Sequence, residues 1–301
     1  MSEENLSSRP HARDLRAHPK IHWHRESFDG LDVGRIVSLV PSLSEALVVL
    51  GLADRLVGVT QYCVHPPKAF DHLPRLGGTK DADAEAIAQL APDLVIANQE
   101  ENTARVVRIL AERGINVWVT YPRTVGEGVG LLEDIGTLGA TRDAISRIIE
   151  PVRRAFDTAD EARRSNTGSR PRVFCPIWRD PWMTINRDTY IHDLIELCGG
   201  ENLFAGPLIN DGSEASEAHN RRSARRYPLL DLDEWVKTEP EVILLPDEPY
   251  AFGPSDRAMI AELDLPASRN GRIHLIDGTL VSWYGPRIAE SIRVVAGLFA
   301  I

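Results

Sequence analysis

The chain has 301 residues, which is long enough for two lobes of about 150 residues each. Hydrophobic residues make up 43% of it and charged residues 26%, the usual proportions of a globular protein. The net charge of −10 argues against a nucleic-acid backbone or an anionic membrane surface as a partner.

Residues 1–34 are predicted to form a polar arm that is broken by proline. The arm contains four histidines, which are His11, His18, His22 and His24. A metal-binding tail is one interpretation, because histidine is a common metal ligand. We favour the other interpretation, in which the arm packs Ile21 and Trp23 onto the body of the protein.

Residues 35–138 are predicted to form a first α/β lobe. Apolar runs typical of strands lie at 36–40, 56–59, 94–97 and 117–120, and helical patterns lie between them at 43–50, 84–91, 102–113 and 125–138. Ser42-x-x-Glu45 has the spacing of a capping box at the start of the first helix. The alternation of strands and helices predicts a parallel or mostly parallel sheet.

Residues 139–170 are predicted to form a linking helix and loop. Apolar residues recur there at three- and four-residue steps, at Ala144, Ile148, Val152 and Ala155. We expect Pro151 to kink or interrupt this helix.

Residues 171–301 are predicted to form a second α/β lobe, because residues 239–245 and 271–276 repeat the patterns of 91–97 and 114–119. Within it, the polar residues 206–226 are predicted to be a mobile excursion. The predicted fold is therefore α/β, with two Rossmann-like lobes and mostly parallel sheets.

The cysteines and the first residues bear on the cellular compartment. Cys63, Cys175 and Cys198 are widely spaced and form no CxxC pair, so neither a disulfide framework nor a zinc site is predicted. We expect Cys175 and Cys198 to be core residues. The first residues contain no basic segment followed by an apolar one, and no lipid-attachment cysteine. As written, the sequence predicts a cytoplasmic protein, and an extracytoplasmic one only if the true start lies elsewhere.

Polar and aromatic residues follow the predicted strands, where α/β sheets bind their ligands. In the first half of the chain the candidates are Ser42, Tyr62, His65, Thr79, Lys80, Asn98, Glu100 and Arg123. In the second half they are Trp178, Arg179, Trp182, Asp247, Tyr250, Trp283, Tyr284 and Arg287. The motifs GxSxG, GxxxxGK[ST], GxGxxG and HExxH are absent, which argues against an enzyme.

The ring-bearing candidates of the second half, together with Phe252, suit a large flat ligand, since each buried ring contributes roughly 150–250 Å². The alternative is that Trp182 and Trp283 brace loops against the sheet. Arg123, Arg179 and Arg287 could bind an anionic group on the ligand, or they could be solvated surface residues. A bare metal ion is a further alternative, and its ligands would be His65, Glu100, Glu101, Asp247 and Glu248.

Four segments carry a resemblance to a known family. They are the opening stretch 35–67, Gly77-Gly78-Thr79-Lys80-Asp81, the segment 189–205 and Trp283-Tyr284-Gly285-Pro286-Arg287. The chain resembles the class III, helical-backbone substrate-binding proteins of ABC transporters, and within them most closely the vitamin B12- or corrinoid-binding proteins. This resemblance implies two lobes joined by a long backbone helix, with a ligand cleft between the lobes. It also implies a monomer that binds a metal chelate without catalysis and has no intrinsic cofactor or metal.

The resemblance also implies a partner, because family members dock on an importer permease through one surface acid on each lobe. Glu85 and Glu196 fall at the matching places. The cargo could instead pass to an intracellular acceptor. A siderophore, haem or bare metal ion is an alternative ligand, and an enzyme that processes a chelate with Glu100, Glu101 or His65 is an alternative function.

Overall fold

A computed structural model describes residues 15–206 and 226–300 of the chain. By their tertiary contacts these residues divide into two units. The first unit comprises the described residues up to Pro122 together with Gly130–Glu150, and the second comprises Arg123–Val129 together with the described residues from Pro151 onward. The domain boundaries given above stay a prediction. The predicted excursion at 206–226 lies, except for its two end residues, outside the described residues, as does His11.

The first unit is built on a parallel sheet of five strands in the order β1-β5-β4-β2-β3. The strands are β1 Ile21–His22, β2 Ile36–Ser38, β3 Leu56–Val59, β4 Leu94–Asn98 and β5 Asn116–Thr120. The helices that follow them are α1 Pro41–Val49, α2 Ala84–Gln89, α3 Ala104–Glu112 and α4 Val125–Gly136, of which α4 begins in the second unit. Short 3₁₀ turns lie at Arg25–Phe28 and Ala53–Arg55.

Burial explains why these strands read as continuous apolar runs. All five residues of β4 are buried, as expected for a central parallel strand that is covered on both faces.

The predicted capping box at Ser42 is wrong, because α1 begins at Pro41 and its N-cap residue, Val40, makes no side-chain cap bond. Proline suits the first helical position, since its backbone has no N–H to leave unpaired there.

The N-terminal segment contributes a strand to this sheet. Ile21 and His22 pair with β5, and Ile21 lies in the hydrophobic core with Trp23 packed against that core. The His22 ring nitrogens lie 3.2 Å from Ser27 Oγ and 3.3 Å from Asn116 Oδ1. The segment therefore packs onto the sheet, as the favoured interpretation of this region expects.

The predicted linking helix is continuous. It comprises α5 Arg142–Ala144, a π-helical turn Ile145–Ile149 and α6 Glu150–Ser165, with no gap between them. The helix is not interrupted at Pro151, and its departure from α-helical geometry lies in the π-helical turn directly before that residue. Proline and π-helical turns are both usual causes of local distortion in a helix.

The second unit contains a parallel and an antiparallel sheet, in the orders β12-β11-β6-β9 and β10-β8-β7. Its strands are β6 Arg172–Phe174, β7 Pro176–Trp178, β8 Trp182–Thr184, β9 Glu201–Asn202, β10 Leu229–Leu230, β11 Val242–Pro246 and β12 Ile273–Ile276. Its further helices are α7 Tyr190–Leu197, α8 Leu232–Val236, α9 Pro254–Ala261, α10 Pro266–Arg269, α11 Thr279–Ser282 and α12 Ile288–Phe299. The predicted α/β class with mostly parallel sheets is confirmed.

Two further observations concern the cysteines and the apolar character of the helices. Cys175 is fully buried and Cys198 is half-buried, and burial raises the pKa of each thiol to about 12. Among the helices of residues 15–206 and 226–300, none has the length and apolar character needed to cross a membrane.

Candidate functional site

In the first unit, Asn102 ties three loops together. Its Oδ1 accepts a hydrogen bond from the backbone N–H of Asn98 at 2.8 Å. Its Nδ2 donates to the carbonyl oxygens of Leu39, at 3.2 Å, and Thr79, at 2.9 Å. Asn102 is buried, so these bonds replace water for the loops that follow β2 and β4 and for the segment around Thr79.

Two predicted ligand residues strengthen the same loops. The Asn98 side chain is buried, and its Oδ1 accepts hydrogen bonds from the N–H groups of Glu100, at 2.7 Å, and Glu101, at 3.1 Å. The exposed Lys80 donates from Nζ to the Glu100 carbonyl oxygen. Asn98 is therefore a loop-forming residue in this structure, and Lys80 joins the Thr79 segment to the β4 loop.

The loop after β3 is anchored by a buried polar cluster that contains Cys63. The Cys63 Sγ lies 3.1 Å from Ser44 Oγ and 3.3 Å from Thr60 Oγ1, and burial raises the pKa of this thiol. Arg75 donates to the carbonyl oxygens of Thr60, at 3.1 Å, and Cys63, at 2.8 Å. Arg75 was not among the predicted site residues, because it lies outside the strand-end positions from which they were chosen.

The anchored loop presents two large side chains to solvent. Tyr62 and Val64 are each 54% exposed, and His65 beside them is half-buried. A Cβ atom at position 78 would lie 3.1 Å from Tyr62 Cε2, so the glycine there allows the ring to pack closely. Val64 is a candidate contact that the sequence did not suggest. The predicted Ser42, in contrast, is buried within α1.

In the second unit, aromatic rings pack in an unbroken series from the core to the surface. The series runs from Phe174 and Trp235 (4.6 Å between ring centroids) to Trp182 (5.4 Å), Phe252 (6.2 Å), Tyr250 (4.6 Å) and Trp178 (5.6 Å). Trp235 is fully buried at one end, and Trp178 is 43% exposed at the other. We call this set the ring series.

The ring series separates the predicted aromatic contacts into two kinds. Trp182 and Phe252 are buried and support the others, so the alternative that Trp182 braces a loop agrees with its position. Trp178 is exposed and Tyr250 half-buried, edge to face, and these two can contact a ligand. The sequence does not show this distinction, because it depends on how the four rings pack on one another.

Arg179 is engaged inside the second unit. Its guanidinium donates to the buried Asp256 and lies 3.6 Å from the Asp180 carboxylate. The hydrogen bond that Arg179 donates to Asp256 raises the pKa of Arg179. Asp256 also accepts from the Gly253 N–H at 2.8 Å, so the Arg179–Asp256 pair joins the segment after β7 to the start of α9.

Two acids join the ends of β11 and β12. Asp247 Oδ1 accepts from the Gly278 N–H at 2.7 Å, and Glu248 Oε1 accepts from Ser282 Oγ at 2.9 Å. Burial raises the pKa of Glu248, although bonds from Ser282 and the Trp283 side chain act in the opposite direction. A Cβ atom at position 278 would lie 2.8 Å from Glu248 N, so glycine permits this close approach.

The last predicted loop contains one buried ring and one stacked pair. Tyr284 is buried and packs edge to face on Tyr190, with 5.9 Å between centroids. The Arg287 guanidinium lies 5.2 Å from the Trp283 ring centroid and donates to Thr279 Oγ1 at 2.8 Å. Trp283 and Arg287 are half-buried and remain candidate ligand contacts, whereas Tyr284 packs in the core.

Arg123 and the two predicted docking acids lie on surfaces. Arg123 belongs by its contacts to the second unit, where its Nη1 lies 3.2 Å from Asp188 Oδ1. The Glu85 side chain is 62% exposed and lies 2.6 Å from Arg113 Nη2. The Glu196 side chain is only 21% exposed, because Arg170 and the Asn202 N–H both bind it.

The described residues contain no group of three or more His, Cys, Asp and Glu side chains placed to hold a metal ion. Each unit instead offers loops that are fixed by side-chain hydrogen bonds, together with an exposed ring, Tyr62 in the first unit and Trp178 at the end of β7 in the second. Such an arrangement can hold a ligand by surface contact. The assignment of individual ligand residues, and of a cleft between the lobes, stays a prediction.

Comparison with known proteins places this arrangement in a class. Residues 36–278 match the family model described as Periplasmic binding protein, and the chain belongs to that family. A vitamin B12-binding protein of Vibrio cholerae is 25% identical over 262 residues, which are 87% of this chain and 87% of that protein. The crystal structure of the periplasmic vitamin B12-binding protein BtuF of Vibrio cholerae superposes with a TM-score of 0.72 at 25% identity, over 89% of this chain and 97% of that one.

A third relative is named for transport. An uncharacterized ABC transporter substrate-binding lipoprotein, YvrC of Bacillus subtilis, is 24% identical over 267 residues, which are 87% of this chain and 78% of that protein.

These comparisons test three of the sequence predictions. The resemblance to substrate-binding proteins is confirmed, and with it the prediction of a binding protein that is neither an enzyme nor dependent on an intrinsic cofactor. The predicted cytoplasmic location is wrong, because the family and the relatives are periplasmic binding proteins and a substrate-binding lipoprotein. The prediction was based on the missing signal-peptide pattern and lipid-attachment cysteine in the first residues, and the locations of the relatives contradict it.

Replacing Asn102 with alanine is expected to loosen the first-unit loops. The change leaves the Leu39 carbonyl and the Asn98 N–H without their partner, which costs about 1–3 kcal/mol of the free energy of unfolding. Urea denaturation measures the loss, and hydrogen exchange of the segment 77–81 is expected to accelerate. Gln89→Ala, at an exposed position on α2, is the matched control. Equal stability and equal exchange in the two variants would contradict the assigned role.

Proposed function

We propose that this protein binds a metal chelate, with a cobalt corrinoid as first choice, and delivers it to an ABC importer. The observation that carries the proposal is the ring series, whose exposed end presents Trp178 edge to face with Tyr250. Flat conjugated ligands lie against such rings, and the buried end of the series holds them in place. The names of the vitamin B12-binding relatives support the choice of a corrinoid.

The bonding of the loops favours binding over chemistry. Glu100 and Glu101 take part through their backbone N–H groups in the turn made by Asn98, and Arg179 is held by Asp256. Loops fixed in this way lose little conformational entropy when a ligand arrives, so more of the contact energy appears as affinity. Exposed side chains at the tips, such as Tyr62 and Trp178, then supply the contact area.

We further propose candidate ligand contacts in each unit. In the first unit the contacts would come from Tyr62, Val64 and His65. In the second they would come from Trp178, Tyr250, Trp283 and Arg287, with the arginine serving an anionic group of the ligand. Siderophores and haem have the same general chemistry, a metal held by an organic chelator, and are the alternatives to a corrinoid.

Tryptophan fluorescence of the purified chain, titrated with cobinamide, cobalamin and haem and corrected for ligand absorption, tests the ligand. We expect saturable quenching by a corrinoid at micromolar or lower concentration. Trp178→Ala is expected to weaken binding about tenfold, equivalent to about 1.4 kcal/mol, because a ring contact is lost.

Trp118→Phe is the control for that titration, since Trp118 is buried in β5 and packs on Phe28. It should lower the starting fluorescence and leave the affinity unchanged. Absence of quenching by all three compounds would contradict the corrinoid and haem proposals. Equal affinities of the wild type and Trp178→Ala would contradict the proposal that the ring series contacts the ligand.

Docking on the importer is proposed to use Glu85 and Glu196, one acid in each unit. Glu85→Lys is expected to abolish delivery of the ligand to the importer, because it reverses an exposed charge, and to leave ligand affinity unchanged. Glu196→Gln is the gentler change in the second unit, since the amide oxygen can still accept from the Asn202 N–H. Uptake assays in cells that express the importer measure both. Unchanged uptake with Glu85→Lys would contradict this docking mode.

A further inference from the structure

A polar cleft of about 980 Å³ lies in the second unit beside β9. It is bordered by the segment 168–170, by α7 and by the residues that follow β9. The charged and titratable side chains that line it are Arg170, Arg187, His192, Glu196 and Glu201. Glu196 is the docking acid proposed above. The groups that bind its carboxylate therefore determine how much negative charge it presents to a partner.

The orientation of the Asn202 amide is determined by two neighbours. Its Nδ2 donates to the Ile185 carbonyl oxygen at 3.1 Å, and its Oδ1 accepts from the Phe204 N–H at 3.2 Å. Rotating the amide by 180° would place donor against donor and acceptor against acceptor. Asn202 is buried, so water cannot compensate for such a mismatch. The amide therefore presents Nδ2 as a donor.

This orientation determines the tautomer of His192. Its Nδ1 lies 3.3 Å from Asn202 Nδ2, which is a donor. A hydrogen bond at this distance requires Nδ1 to carry a lone pair, so the proton of the neutral ring is on Nε2. The protonated ring, with hydrogens on both nitrogens, cannot make this bond.

An acceptor for the protonated ring is close by. Glu196 Oε1 lies 4.0 Å from His192 Nδ1 and accepts the Asn202 N–H at 3.1 Å. The other carboxylate oxygen of Glu196 is bound by Arg170. A small displacement of the imidazolium would convert the 4.0 Å separation into a charge-assisted hydrogen bond.

The charges that face His192 come from three elements. Asp193 and Glu196 on α7 favour the protonated ring, whereas Arg187 after β8 and Arg170 before β6 oppose it. Burial is the largest influence and lowers the pKa of His192 below its ordinary value of 6.5. The ring is therefore neutral at neutral pH, and it becomes charged only under acidic conditions.

We propose that protonation of His192 exchanges its bond to Asn202 for a bond to Glu196, so that pH determines how strongly the Glu196 carboxylate is held inside the protein. His192 is thus a positioning residue for a docking acid. The effect on docking rests on the function proposed above. The exchange of hydrogen bonds is independent of that function. In the protonated state the negative charge of Glu196 is shared by two internal cations, so its attraction for a positively charged partner falls.

The sign of the stability effect follows from the same shift. A histidine whose pKa is lowered by folding binds fewer protons in the folded than in the unfolded state. Its contribution to stability is complete above pH 6.5 and is lost as the pH falls through the lowered pKa of the folded state. The free energy of unfolding is therefore expected to fall on acidification through this range, separately from the weaker docking proposed above.

Nuclear magnetic resonance of the full chain with labelled histidine tests the exchange between about pH 8 and pH 5, a range that brackets the ordinary histidine pKa. We expect the Nε2–H tautomer of His192 at the upper end. We expect a titration midpoint below 6.5, together with a shift of the Asn202 amide signal at the same midpoint. An Nδ1–H tautomer, or a His192 titration that leaves the Asn202 signal unchanged, would overturn the proposal.

Two variants separate the exchange from a merely structural role. Glu196→Gln removes the nearest negative charge and is expected to lower the His192 pKa further; an unchanged midpoint would show that the two groups do not interact. His192→Asn retains an acceptor near the Nδ1 position without titrating. It should therefore keep the Asn202 signal constant across the pH range, and a persistent shift would overturn the proposal.

These measurements need neither a chelate nor an importer, so the exchange can fail or hold independently of the proposed function. The regulatory step has its own test, in which binding of wild type and His192→Asn to the importer in detergent is compared at pH 7.5 and at a pH below the measured midpoint. The wild type is expected to lose affinity on acidification and the variant to retain it. Equal pH dependence of both would overturn the regulation alone.

Discussion

The carboxyl ends of parallel strands leave backbone groups that no further strand can pair, and this constraint shapes the protein. Buried N–H and C=O groups must find partners, and here short polar side chains supply them. Asn102 does so in the first unit, through the Leu39 and Thr79 carbonyl oxygens. In the second unit, Asp247 accepts the Gly278 N–H. The side chains that fix the loops thus have bonding partners within the protein, and exposed residues such as Tyr62 and Trp178 lie beside them.

The exposed candidate contacts are held in position by the buried side chains beneath them. Trp178 can present its ring because Tyr250 supports it, and that ring rests on Phe252, Trp182 and finally the core. In the first unit, Tyr62 projects from a loop whose carbonyl oxygens are held by Arg75. A rigid support suits a binder, because it lowers the entropy lost on association.

The sequence predicted most of the architecture because burial imposes a pattern on strands. All four strands predicted in the first lobe are present, since central parallel strands read as apolar runs. Local signals were less reliable. The spacing at Ser42 predicts a cap for α1, yet Ser42 lies inside a helix that starts at Pro41. Pro151 predicts a kink or an interruption of the linking helix, and the helix continues through it directly after a π-helical turn.

The sequence yields a set of candidate positions for the site, but it does not show which contacts each side chain makes. Among the candidates, Ser42 lies in α1, Trp178 ends β7 and Trp182 begins β8, and the direction of each side chain depends on partners far away in the chain. Arg179 pairs with Asp256, 77 residues later, and Asn102 bonds to Leu39, 63 residues earlier. No local pattern reports such pairings, which is why Trp182 and Tyr284 were grouped with exposed rings.

Native mass spectrometry of the purified chain, mixed with an equimolar set of cobinamide, cobalamin, haem and a ferric siderophore, tests the central claim most directly. A non-catalytic chelate binder is expected to retain one of these compounds at one molecule per chain, and the compound recovered after denaturation should have its original mass. Failure to retain any of the four, or recovery of a chemically altered compound, would contradict the account.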